Sequence, residues 1–346
     1  MKLVSRTSLT MDSPTLQAIN ITNQLIAKEA LGRGFKVDFL PTGIATTGLL
    51  IIDTGDVAGE VLLKSSVSHA TAGYGIIIAR NKYLAAEVMQ YYAIPTPETV
   101  LFESMDSAEQ FLKQHRAIVV KPLDTSHGTG ITLKVQTSDQ LEQAVKKAQR
   151  ASSKIILQAT VEGTDHRLLI VGGKLIAASK RLPAYVVGNG TSNLEELIDQ
   201  ENRNPKRGAF HTKPMTFINK QKAIQYLSSQ GKQLTDIPPK GAQIAVVATA
   251  NLSTGGEAHD ITDQVHPKIA AMAVKAADIS GLAVCGVDVI TKDVSADPDD
   301  IPAYILELNE APGIRMHHFP AQGQPRNVAS AILDLAINYK LARNQV

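Results

Sequence analysis

Residues 118–131 read IVVKPLDTSHGTGI, and this stretch joins two predicted strands through a loop that contains two glycines. Glycines let backbone N–H groups approach phosphate oxygens closely, and Lys121 adds a compact positive charge where the loop begins. No Gly-Lys-Ser/Thr sequence follows, and the next element is predicted to be a strand rather than a helix. The loop is therefore not a Walker A loop. From these residues alone, a phosphate-binding loop and a plain hairpin turn are equally compatible with the pattern.

On both sides of this loop the pattern predicts short strands mixed with helices. Apolar residues at helical spacing predict helices, and short apolar runs bounded by turn residues predict strands. The predicted helices cover 13–35, the segment after Asn81, the segment after Asp106, 137–150, 194–200 and 267–281. The predicted strands cover 37–40, 49–52, 118–121, 131–135, 155–159, 167–171, 174–180, 243–249, 284–290 and 303–308. Segment 53–80 and most of 188–242 carry no clear element. This order favours an α+β fold or an α/β sandwich over a doubly wound sheet.

Helix starts and faces are predicted from individual residues. Asn81 has N-cap chemistry, and Asp106 with Glu109, like Thr137 with Gln140, has the spacing of a capping box. The helix after Asn81 is predicted to have one apolar face. The residues predicted to form this face are Leu84, Val88, Tyr91 and Tyr92.

Two carboxylates interrupt otherwise apolar strands near the carboxyl end of the sequence. Asp288 lies within 284–290, and Glu307 is two residues from Asn309, so these two side chains share one face of a strand. A buried carboxylate is costly unless another group compensates it. Mg²⁺ prefers oxygen ligands and is commonly shared between carboxylates and nucleotide phosphates. Asp288, Glu307 and Asn309 therefore predict a magnesium site, and the alternative is a pair of acids that face solvent.

Basic residues surround a predicted hairpin. The dipeptide Gly172-Gly173 is a strong two-residue turn signal, and Arg167, Lys180 and Arg181 lie on its flanking strands. Cations at this density could neutralise a triphosphate or a transferred phosphoryl group, although each alone is typical of a solvated surface. Arg315 follows the predicted metal ligands in a tight turn. It could hold a substrate carboxylate bidentately, or it could be an ordinary loop residue.

Composition excludes several classes of protein. The 346 residues suffice for two or three domains, and the 44% hydrophobic and 20% charged content is that of an ordinary soluble protein. A formal charge of +2 is too small to predict nucleic-acid or membrane partners. The amino terminus lacks a signal peptide, and no apolar run approaches the roughly 20 residues that span a bilayer. Cys285 is the single cysteine, which fits a reducing cytoplasm.

Taken in order, these segments resemble the ATP-grasp superfamily. The resemblance is to the ATP-grasp part of cyanophycin synthetases and to the glutathione-synthetase half of bifunctional glutathione-forming enzymes. The matching stretches are VVKP at 119–122, the loop 124–131, VEGTDHRLLIVGGKL at 161–175, NLSTGG at 251–256 and ILELNEAPGIRMH at 305–317. The resemblance covers 80–346 well and the first 80 residues poorly. It implies two α+β lobes that clasp ATP, at 81–157 and 158–346, after a small N-terminal α/β domain at 1–80.

The resemblance also implies roles for individual residues. The implied ATP-binding residues are Lys82, Lys121, Ser126, His127, Gly128, Thr129, Gly130, Gln158, Val161, Glu162, Asp165, Lys180 and Arg181. The two lysines at 82 and 121 and the pair at 180 and 181 are implied to contact phosphates, and the loop 126–130 to be a mobile lid. The stretch 158–161 is implied to receive adenine, with Glu162 or Asp165 at the ribose. Asp288, Glu307 and Asn309 are the implied Mg²⁺ ligands, with Mn²⁺ as an alternative ion. The implied catalytic residues are Arg167, Lys180 and Arg315.

Two departures from the family pattern matter. Relatives commonly carry glutamate where this chain has Gln158, which puts adenine contacts through that side chain in question. Cyanophycin synthetases continue into a Mur-ligase-like domain with its own ATP site. Because this sequence stops at Val346 and has no Gly-Lys-Ser/Thr loop, we expect it not to be a complete cyanophycin synthetase.

The expected function is an ATP-dependent carboxylate–amine ligase that acts through an acyl phosphate on an amino acid or a short peptide. Positioning and charge neutralisation supply the rate in such chemistry, so Cys285 is expected to be an apolar filler and not a nucleophile. Loop closure would keep water away from the acyl phosphate. One alternative is a glutathione-synthetase-like ligase that joins γ-glutamylcysteine to glycine.

Other interpretations stay open from the sequence. A non-catalytic ATP-binding module is the alternative from a different class. A Rossmann oxidoreductase is excluded because no glycine fingerprint opens a helix after a strand. Basic residues between 203 and 213 are compatible with an acidic substrate or with a solvated loop; they are Arg203, Lys206, Arg207 and Lys213. A homodimer is common among similar proteins, but the sequence does not determine the assembly.

Overall fold

A computed structural model describes residues 6–42, 44–125, 129–209, 213 and 215–345. The chain divides into two compact units, each assembled from segments that are distant in sequence. Unit 1 consists of the described parts of Met1–His69, Ile176–Asp263 and Gly313–Val346. Unit 2 consists of the described parts of Ala70–Leu175 and Gln264–Pro312. These discontinuous units differ from the contiguous segments 1–80, 81–157 and 158–346, and that division stays a prediction.

Short strands run through most of the described chain. They are β1 Thr7–Leu9, β2 Lys36–Thr42, β3 Ile44–Asp53, β4 Glu60–Lys64, β5 Val67–Ser68, β6 Thr99–Leu101, β7 Ile118–Pro122, β8 Thr132–Val135, β9 Ile155–Ala159, β10 Thr164–Val171, β11 Lys174–Leu182, β12 Tyr185–Val187, β13 Arg207–Gly208, β14 Met215–Thr216, β15 Gln243–Ala245, β16 Glu257–Asp260, β17 Val284–Thr291 and β18 Ala303–Asn309.

Helices alternate with these strands. They are α1 Pro14–Ala18, α2 Ile21–Gly32, α3 Gly73–Arg80, α4 Lys82–Tyr91, α5 Met105–Gln114, α6 Ser138–Gln149, α7 Leu194–Asn202, α8 Lys220–Ser229, α9 Pro267–Ile279, α10 Arg315–His318 and α11 Val328–Asn344. Two 3₁₀ turns lie at Leu252–Thr254 and Thr262–Gln264. The strand pairings within each unit are antiparallel except for the short β13–β14 pair, so the predicted α+β class is confirmed. None of the helices in the described residues is both long and apolar enough to cross a membrane.

In unit 1, strands β1 to β5 form an antiparallel sheet in sequence order. Alternate residues in the middle of β2 and toward the end of β3 are buried, including Phe39, Leu50 and Ile52, because alternate side chains of a strand point to one face. Helices α2 and α11 pack together beside this sheet. Arg33 of α2 joins them by donating hydrogen bonds to Asp334 at 2.5 Å and to the Ser330 hydroxyl at 2.7 Å.

The rest of unit 1 has a second, smaller core. Strand β12 pairs with β15, β13 with β14, and β11 with β16. Helices α7 and α8 cover this region. The core residues are Ala184, Val186, Leu194, Leu197, Ile198, Ile218, Ala223, Leu227, Val246 and Val247. The described residues of 188–242, a region in which the sequence predicted few clear elements, thus form a packed subassembly.

Unit 2 contains two antiparallel sheets. Strands β6, β9, β7 and β8 form one sheet in that order, and α5 and α6 supply its apolar cover. The core between them consists of Ala108, Phe111, Leu112, Ile118, Val120, Val135, Leu141, Ala144, Val145, Ala148, Ile155 and Leu157. In the second sheet, β17 lies between β10 and β18, with α9 packed against these strands. Strand β17 is therefore central and almost entirely buried.

Several helix predictions need correction. The single helix expected over 13–35 is two helices, because Asn20 caps a new start by accepting a hydrogen bond from the Asn23 N–H. Asn81 is the N-cap of α4, as predicted. The buried residues of α4 are Ala85, Ala86 and Met89, whereas Leu84 and Val88 of the predicted apolar face are half-buried. The two tyrosines at 91 and 92 are 84% and 46% exposed. The tertiary neighbours of α4 select the small residues, which periodicity alone does not do.

The two predicted capping boxes have different outcomes. Thr137 caps α6 by accepting a hydrogen bond from the Gln140 N–H, as predicted. The box predicted from Asp106 is wrong, since the N-cap of α5 is Ser104, two residues earlier, and its capping-box partner is Ser107. Serine forms the same reciprocal bonds over three residues that the acidic pair was expected to form.

Loops and termini show three further outcomes. The turn at Gly172-Gly173 is confirmed, with both glycines at positive φ as a tight hairpin turn demands. The strand predicted over 243–249 ends at Ala245, although the next two valines are buried. Helix α11 was not predicted. Its buried residues recur in adjacent pairs every four positions, a signal that the sequence did contain.

Candidate active site

A row of charged side chains crosses the second sheet of unit 2. Arg167 on β10 is the cross-strand partner of Asp288 on β17, and Asp288 is the partner of Glu307 on β18. Directly opposite residues place their side chains on the same face of a sheet, within a few ångströms of each other. Arg167 and Asp288 are buried, and Glu307 is half-buried. The fold thus brings two of the predicted metal ligands and the predicted phosphoryl-binding arginine into one line.

Arg167 binds both oxygens of Asp288. Its Nε donates to Oδ1 in a short hydrogen bond, and its Nη2 donates to Oδ2 at 3.2 Å. Such a bidentate pair is geometrically specific, and it compensates the burial of both charges. The structure therefore places Arg167 on a predicted metal ligand. Its role toward the transferred phosphoryl group stays a prediction.

Gly286 makes room for this pair. A Cβ atom there would lie 3.1 Å from both Cδ and Nη1 of Arg167 and 2.8 Å from Cβ of Pro312. Asn309 is the cross-strand partner of Gly286, and its Nδ2 donates to the Gly286 carbonyl at 3.1 Å. Gly286 was not predicted as part of the site. A glycine two residues before a carboxylate in an apolar strand was an available signal of close approach.

Glu307 carries the least satisfied charge of the row. Burial raises the pKa of its carboxyl group, and the neighbouring Asp288 carboxylate raises that pKa further, while Lys121 and Lys82 act in the opposite direction. In the part of the chain that the structure describes, the Glu307 carboxylate has no hydrogen bond or salt bridge. Two adjacent carboxylates with the amide of Asn309 provide hard oxygen atoms, so this donor set fits a divalent cation such as Mg²⁺.

The protein's own ligands alone do not complete a metal cage. The described residues contain no group of three or more His, Cys, Asp and Glu side chains that could hold a metal ion. A cation at Asp288, Glu307 and Asn309 would take its other ligands from water or from a nucleotide. Mg²⁺ commonly binds in this way, through one or two carboxylates together with phosphates.

Lys121 lies at the end of β7 and is buried at 5% exposure. Its Nζ donates to Oε1 of Gln158 at 2.8 Å. Burial lowers the pKa of Lys121 to about 8, an effect that Glu307 and Asp288 oppose and Lys82 reinforces. A buried lysine next to these carboxylates, with a neutral hydrogen-bond partner, is suited to receive an anionic ligand.

Gln158 links Lys121 to the neighbouring strand. Its Nε2 donates to the Thr99 hydroxyl at 2.8 Å, and that hydroxyl donates to the Pro97 carbonyl at 2.9 Å. The amide thus contacts a lysine and a threonine. The adenine contact implied for Gln158 is not tested and stays a prediction. Thr99 was not predicted as part of the site, because its partner Gln158 is 59 residues away in the sequence.

Lys82 lies in the first turn of α4 and reaches the start of the glycine loop. Its Nζ donates to the carbonyls of Leu123 at 3.3 Å and Thr125 at 2.7 Å. Both predicted phosphate lysines therefore lie in unit 2, and electrostatic interactions connect them to each other and to Glu307.

Part of the predicted lid lies outside the described residues, namely Ser126, His127 and Gly128. The flanking Thr125 hydroxyl donates to the carbonyl of Thr129 at 3.1 Å. Gly130 has a φ of +75°, and a Cβ there would lie 2.8 Å from Cγ of Pro122. A glycine is required at 130 for both reasons. The lid role of this loop stays a prediction.

The residues predicted to contact the nucleoside lie where β9 leads into β10. Val161 is half-buried, and Glu162 is exposed and forms a 2.7 Å surface salt bridge with Lys292. Asp165 is on β10 opposite Ile290. None of these positions is tested as an adenine or ribose contact.

The remaining predicted site residues belong to unit 1. Lys180 and Arg181 lie on β11, opposite His259 and Ala258 of β16. Arg315 starts α10 and is buried, and this burial lowers the pKa of its guanidinium. Their predicted contacts with phosphates and with a substrate carboxylate stay predictions.

The basic cluster between 203 and 213 is partly structural. The Arg207 side chain is fully buried, and it donates to Glu201 at 2.8 Å and to Glu257 at 3.0 Å. It also donates to the carbonyls of Thr216 and Gly255. The hydrogen bonds of Arg207 are thus made within unit 1. This argues against Arg207 as a residue that binds an acidic substrate.

Comparisons with known proteins agree with this geometry. Residues 84–204 match the family of the prokaryotic glutathione synthetase ATP-grasp domain, and residues 248–334 match the RimK-like ATP-grasp domain. The two matches together include all three predicted metal ligands, Lys121, Arg167 and Arg315.

Two curated relatives and one solved structure extend the likeness over most of the chain. Cyanophycin synthetase of Trichormus variabilis is 35% identical over 317 residues, which are 91% of this chain and 34% of that protein. The glutathione biosynthesis bifunctional protein GshAB of Clostridium perfringens is 28% identical over 92% of this chain and 41% of that protein. The crystal structure of a bifunctional glutathione synthetase from Pasteurella multocida superposes with a TM-score of 0.70 at 26% identity, covering 94% of this chain and 45% of that one.

The chain spans less than half the length of each of these relatives. The likeness nevertheless runs through both units and through the strands that carry the charged row. Two ATP-grasp family matches and a superposable solved structure point to the same fold. The chain belongs to the ATP-grasp superfamily.

Proposed function

We propose that this protein is an ATP-dependent carboxylate–amine ligase that forms an amide or peptide bond through an acyl phosphate. One observation carries the proposal: Asp288 and Glu307 lie side by side in a central sheet, within electrostatic reach of two lysines, Lys82 and Lys121. Carboxylates for a metal next to cations for phosphates suit a site that binds a metal–nucleotide complex. The names of the relatives support a ligase.

Asp288, Glu307 and Asn309 would hold Mg²⁺, with Mn²⁺ as an alternative. When bound, this ion neutralises phosphate charge and orients the oxygens of the nucleotide. Lys121 and Lys82 would bind phosphate oxygens through their ammonium groups, and in doing so Lys82 would exchange its bonds to the carbonyls of residues 123 and 125 for bonds to phosphate.

The proposed reaction has two steps. An oxygen of the substrate carboxylate attacks the γ-phosphorus of ATP, the bond to the bridging oxygen breaks, and ADP leaves. The amine nitrogen then attacks the acyl carbon, phosphate leaves, and the nitrogen loses a proton. Arg167, Lys180 and Arg315 are proposed to stabilise the negative charge of these steps or to hold the substrate carboxylate.

No covalent nucleophile from the protein is needed. Cys285 is fully buried, and burial raises the pKa of its thiol to about 12. Gly286 and Asp288 are two residues apart and share one face of β17. Cys285 precedes Gly286, so its side chain points to the opposite face of the strand. A thiol in this position is suited to packing and not to attack.

The glycine loop would close over the acyl phosphate and exclude water. Substitution of Gly130 by alanine should distort this loop because of its positive φ. We expect ATP hydrolysis without product to rise relative to ligation. Equal losses of hydrolysis and ligation in this variant would contradict the lid role.

A glutathione-synthetase-like activity is the second candidate. It would join the cysteinyl α-carboxyl of γ-glutamylcysteine to the amine of glycine. The observation in its favour is the match of residues 84–204 to the ATP-grasp domain of prokaryotic glutathione synthetase, together with the superposition on the bifunctional enzyme. Including γ-glutamylcysteine and glycine among the tested pairs decides between this activity and other carboxylate–amine pairs.

The test is ADP release by purified protein with Mg-ATP, across a grid of amino acids and dipeptides, with mass detection of products. Release that depends on one pair, with a product at the summed mass minus water, is the expected result. Hydroxylamine in the same assay should trap the acyl phosphate as a hydroxamate. Binding of Mg-ATP without turnover of any pair would favour a non-catalytic module, and failure to bind ATP would contradict the proposal.

The partners proposed are a small-molecule or peptide carboxylate and an amine. The absence of nucleic-acid and membrane partners, a homodimeric assembly and a cytoplasmic location stay predictions from the sequence. Light scattering of the purified protein tests the assembly directly.

A further inference from the structure

The charges around the candidate metal site do not favour a bare cation. Within the described residues of unit 2, Lys82, Lys121 and Arg167 interact electrostatically with Glu307, and Lys121 and Arg167 also interact with Asp288. These five groups together carry one more positive charge than negative charge. Lys121 is still largely protonated at neutral pH, because its pKa is about 8.

Arg167 also pairs with Asp288, the more buried of the two carboxylates. Both oxygens of Asp288 accept hydrogen bonds from its guanidinium, and both partners are buried at 7% and 2% exposure. The guanidinium keeps this position because Gly286 leaves space beside it. A cation that arrived alone would have to displace a buried, bidentate partner while meeting net positive charge.

We propose that Arg167 makes this site selective for a divalent cation that arrives with a nucleotide over the same cation alone. A metal–nucleotide complex brings an excess of negative charge, which the three cations attract. Its phosphate oxygens also offer the guanidinium a new partner when it leaves Asp288. The inference rests on the proposed function only in taking Asp288 and Glu307 as metal ligands.

The first test measures Mn²⁺ binding to the full wild-type chain near neutral pH, by the loss of the free Mn²⁺ paramagnetic resonance signal. We expect binding without nucleotide to be at least about tenfold weaker than with ADP present. Wild-type protein that binds Mn²⁺ alone as tightly as with ADP would overturn the proposal.

The second test removes the guanidinium. We expect R167Q to bind Mn²⁺ without nucleotide at least about tenfold more tightly than the wild type, because the guanidinium no longer covers Asp288 and one positive charge is gone. R167K, which keeps the charge, should stay close to the wild type. The variant R80Q is the matched control: Arg80 forms an exposed 2.8 Å pair with Glu310 in the same unit, so its loss should leave Mn²⁺ binding unchanged.

A third variant displaces Arg167 without removing a charge. In G286A the new methyl group would press on the guanidinium, so Mn²⁺ affinity without nucleotide should again increase, by less than in R167Q. Gly73, at the start of α3 with open space around it, provides the control G73A. Folded R167Q and G286A proteins that bind Mn²⁺ no better than the wild type would overturn the proposal.

The outcomes separate this inference from the proposed function. Failure of ADP and ATP to bind in the presence of Mn²⁺ contradicts the ligase proposal. The expected gain of Mn²⁺ binding in R167Q is measured without nucleotide and without turnover. Its outcome is therefore independent of whether the protein is a ligase. If R167Q does not fold, the wild-type comparison with and without ADP still decides.

Discussion

Each unit contains a buried arginine next to two carboxylates, and the two clusters differ in how completely they are satisfied. In unit 1, Arg207 donates to Glu201, Glu257 and two backbone carbonyls, and Glu257 also contacts His259 at 3.3 Å. In unit 2, Arg167 has Asp288 as its hydrogen-bonding partner among the described residues. The neighbouring Glu307 has no such partner there.

This difference separates a structural ion cluster from a binding site. The unit 1 cluster of Arg207, Glu201 and Glu257 is a closed cluster, because its buried charges already have hydrogen-bonding partners. A ligand that bound there would add no stabilising interaction. The unit 2 cluster of Arg167, Asp288 and Glu307 is an open cluster. Its two carboxylates repel each other, and burial together with that repulsion raises the pKa of Glu307. A cation would relieve this repulsion. Residue types alone do not distinguish the clusters, but their hydrogen bonds do.

The largest expected effect is on the closed cluster. In R207M the carboxylates of Glu201 and Glu257 lose their buried partner, and breaking a buried pair in this way costs about 3–5 kcal/mol of the free energy of unfolding. Urea unfolding measures the change. R203M is the control, because Arg203 is exposed and should change stability by less than about 0.5 kcal/mol. Equal stability of R207M and R203M would remove the contrast between the clusters.

The open cluster should respond in activity and not in stability. We expect E307Q to lower substrate-dependent ADP release by about a hundredfold to a thousandfold, because a metal ligand is lost. Its free energy of unfolding at neutral pH should rise, since the amide does not repel Asp288. A group with a raised pKa in the folded state stabilises at low pH and loses that contribution as the pH rises through its pKa. The gain in E307Q should therefore be largest at high pH.

Unchanged ADP release in a folded E307Q protein would mean that Glu307 is not a metal ligand. The variant E310Q is a suitable control for the same assay. Glu310 also carries a carboxylate near the end of β18, but its partner is the surface residue Arg80. Unfolding curves at several pH values provide the stability comparison for both variants.

Lys121 provides a pH test of the open cluster. ATP affinity should fall as the pH rises above about 8, by up to about tenfold per pH unit, because the ammonium loses its proton. Its folded pKa is lower than the unfolded one, so its contribution to stability should increase as the pH rises from about 8 toward the ordinary lysine pKa. Nucleotide binding and stability are thus expected to change in opposite directions. In K121R this loss of affinity should disappear, and its persistence there would assign the titration to another group.

The smallest effect is expected at Cys285, which adjoins the open cluster but points away from it. C285A should keep ADP release within about twofold of the wild type and lose about 1 kcal/mol of stability. Because the thiol has a pKa of about 12 and is fully buried, iodoacetamide should not inactivate the folded protein. Rapid inactivation by iodoacetamide, absent in C285A, would contradict its packing role.

Much of the local structure followed from short-range chemistry. The caps at Asn81 and Thr137 and the turn at Gly172-Gly173 were predictable because each depends on residues within a few positions. The strands that carry Asp288 and Glu307 were predictable from their apolar runs. Predictions that depended on packing fared worse. The exposed tyrosines of α4 and the early end of β15 reflect neighbours that the local pattern does not contain.

By itself, the sequence determined the α+β class, the ATP-grasp family and the residues from which a metal–nucleotide site could be built. These depend on periodicity, turn chemistry and motif order, all written along the chain. Only the tertiary structure decided that Arg167 binds Asp288, that Gln158 binds Lys121 and that Arg207 is enclosed by glutamates. The partners in these pairs are separated by up to 121 residues in the sequence. Each arginine could have paired with other carboxylates of the chain. Which charges meet, and which stay open to a ligand, depends on strand register and burial, because both are set by the packing of the whole unit.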